Sequence, residues 1–139
     1  MSYLPADFTV PPALPHELPF WDYCEKRELR IQQCMDCGRF RHPPQPVCAQ
    51  CRSTRTQWTQ VSGKGEVYTY TIVHHAATPA LRESVPYNVA IVLLDGAGDV
   101  RLTSNVVDAS PEEMRVGLRV DLVWETAGGR LLPRFRKAR

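Results

Sequence analysis

The chain has 139 residues, of which 43% are hydrophobic and 23% charged, and its formal net charge is +2. That balance excludes disorder along the whole length, and no apolar run approaches the ~18 residues that a membrane-spanning helix needs. Met1 to Val10 contains Asp7, no basic cluster and no apolar stretch, so no export signal is expected and the expected location is the cytoplasm.

The charge is segregated. Residues 26–55 carry seven basic side chains against Glu28 and Asp36, and residues 130–139 carry five with no acid. The rest of the chain is acidic, so the small average hides two basic blocks.

Five prolines fall in residues 1–19. They fix φ and remove amide donors, so residues 1–18 are expected to form an extended arm. Its apolar residues, among them Phe8, Val10 and Leu14, suit an arm lying across a surface, either its own or a partner's. Pro19 then suits a first helical turn, with Phe20, Trp21 and Cys24 on one face. Leu29, Ile31 and Gln33 next alternate with Arg30 and Gln32 as in a strand. The segment 19–60 is expected to hold this helix and a metal-binding ribbon, with a polar loop after Cys51 and a border near residues 58–63.

Residues 61–139 read as short strands. Glu66 to His74 is rich in β-formers, and Tyr87 to Leu94 is a nearly continuous apolar run, expected to be a buried strand. Asp95–Asp99 is a hairpin connection and Val100–Val106 the next strand. Ser110-Pro111-Glu112-Glu113 has the form of a capping box, predicting a short helix ended by Gly117. Arg119–Glu125 and Leu131–Phe135 complete the set. Five strands with a helix between the third and fourth fit an OB-type barrel better than an SH3-like one. The fold class expected is mainly β: an N-terminal helix and ribbon, then a five-stranded OB-fold barrel.

The strongest chemical signal is Cys34-Met35-Asp36-Cys37 followed after ten residues by Cys48-Ala49-Gln50-Cys51. Four soft thiolates in two tight turns favour zinc, and a site filled by four protein ligands is structural. Gly38 follows Cys37 where such a turn often needs positive φ. Iron of the rubredoxin kind and a redox dithiol are the alternatives. Four thiolates and one dication would bring the net charge to about zero. Cys24, on the apolar helix face, reads as a core residue.

Other groups are less specific. His74 and His75 end a strand, as surface residues or as a ligand contact at the barrel mouth. His42 lies beside Pro43 and is redundant as a ligand. Tyr68 and Tyr70 are expected to share one strand face, where aromatics can stack on bases, pack in a core or touch a partner. No Ser/His/Asp set, nucleophile elbow or phosphate loop occurs, so no catalytic residue is assigned.

Phe20-Trp21, the two cysteine pairs with Gly38-Arg39 and Pro43-Pro44, Trp58, Gly63-Lys64-Gly65-Glu66-Val67-Tyr68-Thr69-Tyr70-Thr71, Pro86-Tyr87 and Leu131-Leu132-Pro133-Arg134-Phe135 occur in this order. Over residues 19–136 the chain resembles the DUF35 family, which joins a rubredoxin-like zinc ribbon to an OB fold. The resemblance implies a non-catalytic accessory subunit of a thiolase-like acyl-CoA enzyme (a thiolase, aldolase or acyltransferase) that stabilises its partner and helps hold the CoA arm. It implies structural zinc on Cys34, Cys37, Cys48 and Cys51. Arg39, Arg41, Arg52, Arg55, His74 and Tyr70 become candidate contacts for a CoA thioester or the partner. The turn before Arg101 is longer than the family's usual one, so no ligand role is carried onto Arg101. The competing expectation is a single-stranded nucleic-acid-binding module, disfavoured by the acidic body and near-zero metal-loaded charge.

Overall fold

The computed structural model describes Leu4, Pro5 and residues 7–139. One helix, α1 (Leu18–Glu25), precedes eight strands: β1 (Arg30–Cys34), β2 (Phe40–Arg41), β3 (Thr56–Gln60), β4 (Lys64–Val73), β5 (Tyr87–Leu94), β6 (Arg101–Ser104), β7 (Arg119–Ala127) and β8 (Arg130–Lys137). No helix among the described residues is long and apolar enough to cross a membrane.

Helix α1 forms where the sequence places it, with proline in its first turn and Phe20 and Cys24, four residues apart, on the buried face. It ends as Arg27 turns to positive φ and donates its N–H to the Cys24 carbonyl. The helix packs between β1 and β8. Glu25 Oε1 accepts the Leu131 N–H at 3.0 Å, tying the helix to the barrel.

The three-stranded sheet has the order β2-β1-β3. Strand β3 departs from the sequence expectation of a polar loop between Cys51 and Trp58. It pairs with β1 through five residues, from Arg30↔Gln60 to Cys34↔Thr56. Its residues Thr56-Gln57-Trp58-Thr59-Gln60 are too polar for a periodicity signal, and the pairing is long-range.

The second sheet has the order β6-β5-β4-β7-β8, all antiparallel. It curls until β6 meets β8: Val106 bridges Phe135 in parallel, Val107 N–H donates to the Phe135 carbonyl and Phe135 N–H to the Asn105 carbonyl. A five-stranded barrel closed by a parallel contact between its third and fifth strands is the OB architecture. Gly65 permits one close approach, since a Cβ there would stand 2.5 Å from the Leu93 carbonyl oxygen.

One hydrophobic core runs through both sheets. Phe20, Cys24, Leu29 and Ile31 of the ribbon end join Val67, Val92, Leu102, Val120 and Phe135 of the barrel. The Cys24 thiol is pushed up to about 12 by burial, which makes it an inert packing group. Phe8 and Val10 of the arm lie against Gly128 in the β7–β8 hairpin, so the arm crosses its own barrel. Residues 1–3 and 6 of that arm lie outside the described residues.

Three local expectations change. The capping box at Ser110 forms, with Glu113 Oε2 accepting the Ser110 N–H, but it caps only a single 3-10 turn, Pro111–Glu113. Met114 is already extended because its side chain is drawn into the core. A bulge between Val67 and Thr69 breaks the β4 register. It puts Tyr68 outside at 47% exposure and turns Tyr70 toward the core, so the two tyrosines do not share a face. Strand β5 is buried on one face only, alternating half-buried and buried residues, because the barrel interior takes only every second side chain.

Candidate metal centre and the adjoining arginine cleft

The two Cys-x-x-Cys segments fold into matching turns. In the first, Cys34 N–H donates to the Arg39 carbonyl and Gly38 N–H to the Cys34 carbonyl; in the second, Cys48 N–H donates to Ser53 and Arg52 N–H to Cys48. The residue after the second cysteine of each pair needs positive φ. Gly38 supplies it at 77° and Arg52 at 65°. Arg52, a candidate contact for a CoA thioester or the partner, thus also shapes the second turn through its backbone.

The four sulfurs lie within 4.8 Å of one another. Cys34 Sγ and Cys51 Sγ are 3.5 Å apart, and Cys37 Sγ and Cys48 Sγ 3.6 Å. Tetrahedral thiolates at a metal–sulfur distance of ~2.3 Å stand about 3.8 Å apart, so the donor set fits a four-coordinate metal. The thiolate form is favoured on one cysteine of each pair. The Cys37 N–H holds the Cys34 thiol down to about 6, and the Cys51 N–H lowers Cys48 in the same way. For Cys51 the Ser53 N–H acts downward, but the crowding sulfurs, led by Cys34, carry the thiol up to about 12. No position is left for substrate, so the site is structural in kind.

Polar contacts brace the turns. Ser53 Oγ and Arg55 Nη1 both donate to the Asp36 carboxylate, the latter at 2.8 Å, and Arg39 Nη1 donates to Gln50 Oε1 at 2.8 Å. Arg55 and Asp36 are well exposed, so their ion pair stabilises little and acts mainly on geometry. Gln32, which nothing in the sequence marks, is buried within β1. Its Oε1 accepts from Arg41 Nε and from the Gln45 N–H, and its Nε2 donates to the Gln45 carbonyl.

Beside the metal centre lies a cleft of about 370 Å³ between the ribbon and the β5–β6 hairpin. Arg39, Arg41 and Arg101 line it, with Asp99 the one acid, and Arg41 Nη1 is buried without a hydrogen-bond partner. Arg101 stacks its guanidinium 4.1 Å over the Tyr68 ring. His42 and Pro43 also line a second, more apolar cleft of about 270 Å³, walled by Phe20, Trp21, Leu102 and Leu132. The His42 ring lies 5.0 Å from that of Phe20, and burial lowers its pKa to about 4. A cationic recess adjoining an apolar one is suited to a phosphorylated ligand with an extended apolar arm.

Of the sequence candidates, Arg39 and Arg41 come together here. Arg52, Arg55, His74 and Tyr70 do not line either cleft. Tyr70 faces the core, and His74 is exposed beyond the end of β4. Arg101, onto which the sequence carries no ligand role, lines the cleft because the hairpin folds back toward the ribbon. Its pairing opposite Leu93 places it on the outer face of the barrel.

Comparison with known proteins matches both halves. Residues 21–57 fit the family model described as the ChsH2 rubredoxin-like zinc ribbon domain, and residues 58–125 that of the ChsH2 C-terminal OB-fold domain. A DUF35 domain-containing scaffold protein of Methanocaldococcus jannaschii is 34% identical over 106 residues, covering 75% of this chain and 73% of its own. A probable enoyl-CoA hydratase alpha subunit of Thermomonospora curvata is 38% identical over 130 residues, 91% of this chain; the chain spans only 39% of that relative's length. A solved structure described as the Ltp2-ChsH2(DUF35) aldolase superposes with a TM-score of 0.82 at 34% identity, over 92% of this chain and 98% of that one.

Proposed function

The chain belongs to the DUF35 family, uniting a rubredoxin-like zinc ribbon with an OB fold, and from that premise we propose that it is a non-catalytic accessory subunit of a thiolase-like acyl-CoA enzyme. The observation that carries this reading is its likeness, over nearly the whole of both chains, to a chain of the Ltp2-ChsH2(DUF35) aldolase. The name of the T. curvata hydratase subunit supports the same association with acyl-CoA chemistry. In this reading the chain contributes a closed thiolate cluster and a cationic cleft, and the reacting groups belong to the partner.

In this reading Cys34, Cys37, Cys48 and Cys51 hold zinc, which supplies cross-linking of the two turns and no chemistry on substrate. Arg39 and Arg41, with Arg101, meet the phosphates of CoA, and the adjoining apolar cleft accommodates the less polar arm. The guanidinium fork matches phosphate geometry, and Arg41 Nη1 has no other hydrogen-bond acceptor.

The test is purification of the chain at native expression with mass identification of what accompanies it. Stable recovery of a thiolase-family enzyme is expected, with no acyl-CoA turnover by the chain alone. Recovery of nucleic acid without any acyl-CoA enzyme, or turnover by the isolated chain, overturns the reading.

A further inference from the structure

The outer face of the β4–β5–β6 sheet carries a row of half-buried aliphatic residues between exposed threonines. The register sets out its rows: Glu66–Leu93–Arg101, then Thr69–Ile91–Thr103, then Thr71–Val89. Their neighbours along the strands, Val67, Val92 and Leu102, point inward and are buried. Val89, Ile91 and Leu93 are half-buried between the flanking strands and take no part in the core. An antiparallel sheet with one solvated face ordinarily carries polar residues there. The bulge at Tyr68 adds an aromatic ring to the same side, under Arg101. Arg101 makes no ion pair among the described residues. It also lines the arginine cleft, so the apolar face and the cleft form one continuous surface.

We propose that this face is the seat of the partner enzyme: an uncharged, aliphatic surface of the partner covers Val89, Ile91 and Leu93 and continues past Arg101 to the rim of the arginine cleft. This rests on the accessory-subunit reading and adds where on the chain the enzyme sits. The layout, an aliphatic centre flanked by threonines with charge only at one end, is the anatomy of a protein interface. A nucleic-acid strand would need cations along the face, and those of its strands, Lys64 and Arg101, stand only at one end.

Area argues against a second copy of the chain. Eight residues of strand run about 27 Å and three strands span about 14 Å, and with β6 only four residues long the face measures at most roughly 400 Å². Two copies face to face would bury about 800 Å² in total, short of the ~1,200 Å² at which specific interfaces begin. A larger partner that also reaches over the cleft has the area that the face alone lacks, and it closes the cleft on the CoA arm of its own substrate.

The experiment uses the thiolase-family protein recovered with the native chain, produced separately and titrated against wild-type, Ile91→Lys and Thr126→Lys chains, each metal-loaded. Thr126 is exposed on β7, away from this face. Ile91→Lys is expected to keep its thermal midpoint and weaken binding by about 30-fold or more, as at an interface hot spot. Thr126→Lys should bind as wild type does. Equal binding by wild type and a folded Ile91→Lys overturns the proposal and leaves the accessory-subunit reading standing. Absence of binding by the wild type defeats both. If Ile91→Lys does not fold, hydroxyl-radical labelling of the wild-type complex decides: Tyr68 should be protected by the partner and Tyr23 should not, and an unprotected Tyr68 overturns the proposal. A dimer of the chain alone that Ile91→Lys dissociates assigns the face to a second copy and likewise overturns it.

Discussion

Replacing Asn88 with alanine is expected to unlatch the barrel. Asn88 lies inside β5, 6% exposed, and its side chain acts as a short piece of strand. Its Oδ1 accepts the Val106 N–H at 2.8 Å and its Nδ2 donates to the Val106 carbonyl at 2.9 Å. Val106 is the residue that bridges Phe135 and closes the barrel. Alanine would orphan the Val106 N–H and leave its carbonyl with only a 3.5 Å contact from the Ala109 N–H. The bond from Asn105 Nδ2 to the Asn88 carbonyl involves backbone and survives. A buried unsatisfied group costs ~1–3 kcal/mol, so the two together should cost about 2–4 kcal/mol. Against a typical domain stability of ~5–15 kcal/mol this is a large fraction. The assay is urea unfolding of the metal-loaded chain. With a slope of ~2 kcal/mol per M, the midpoint should fall by about 1–2 M with the slope unchanged. Thr103→Ala, on the outer face, should shift stability by less than ~0.5 kcal/mol. If Asn88→Ala also loses less than that, the latch is not where barrel closure is stabilised and the reasoning fails.

Two further predictions concern the ribbon end. Metal analysis should find one ion per chain, colourless for zinc and visibly absorbing for iron, and chelation or Cys34→Ser should lower the thermal midpoint by roughly 10 °C or more. A metal-free chain with an unchanged midpoint would remove the structural role. The second concerns pH: burial holds His42 at about 4 in the folded chain, with the Glu17 charge acting upward, against ~6.5 when unfolded. The unfolded chain therefore takes up the proton first. Stability from this source is complete above pH 6.5 and declines as pH falls toward 4, by about 1 kcal/mol between pH 7 and 5.5. His42→Phe, which can still pack on Phe20, should lose that slope in urea midpoints compared at the two pH values; an identical slope in the variant refutes the assignment.

Much of this protein is written in local sequence. Pro19 with Phe20 and Cys24 determines α1, because four-residue spacing and a first-turn proline are properties of the helix alone. Two Cys-x-x-Cys pairs determine a metal centre, because ligand chemistry and turn geometry both act over four residues. The β-rich runs and turn residues determine the five barrel strands. Tertiary structure decided the rest, wherever a residue's role depends on what the chain brings to it from far away. Strand β3 exists because β1 offers it a partner, not because its five polar-rich residues prefer extension. The capping box at Ser110 stops after one 3-10 turn because the core draws Met114 in. Tyr68 and Tyr70 part company at a bulge that only the pairing of β4 with β5 reveals. Arg39 and Arg41 gain Arg101, and lose Arg52 and Arg55, because a cleft is a property of two surfaces meeting. The apolar run of β5 reads in sequence as a buried strand; the closed barrel buries one face and leaves the other half-buried, because a single sheet has only one inside.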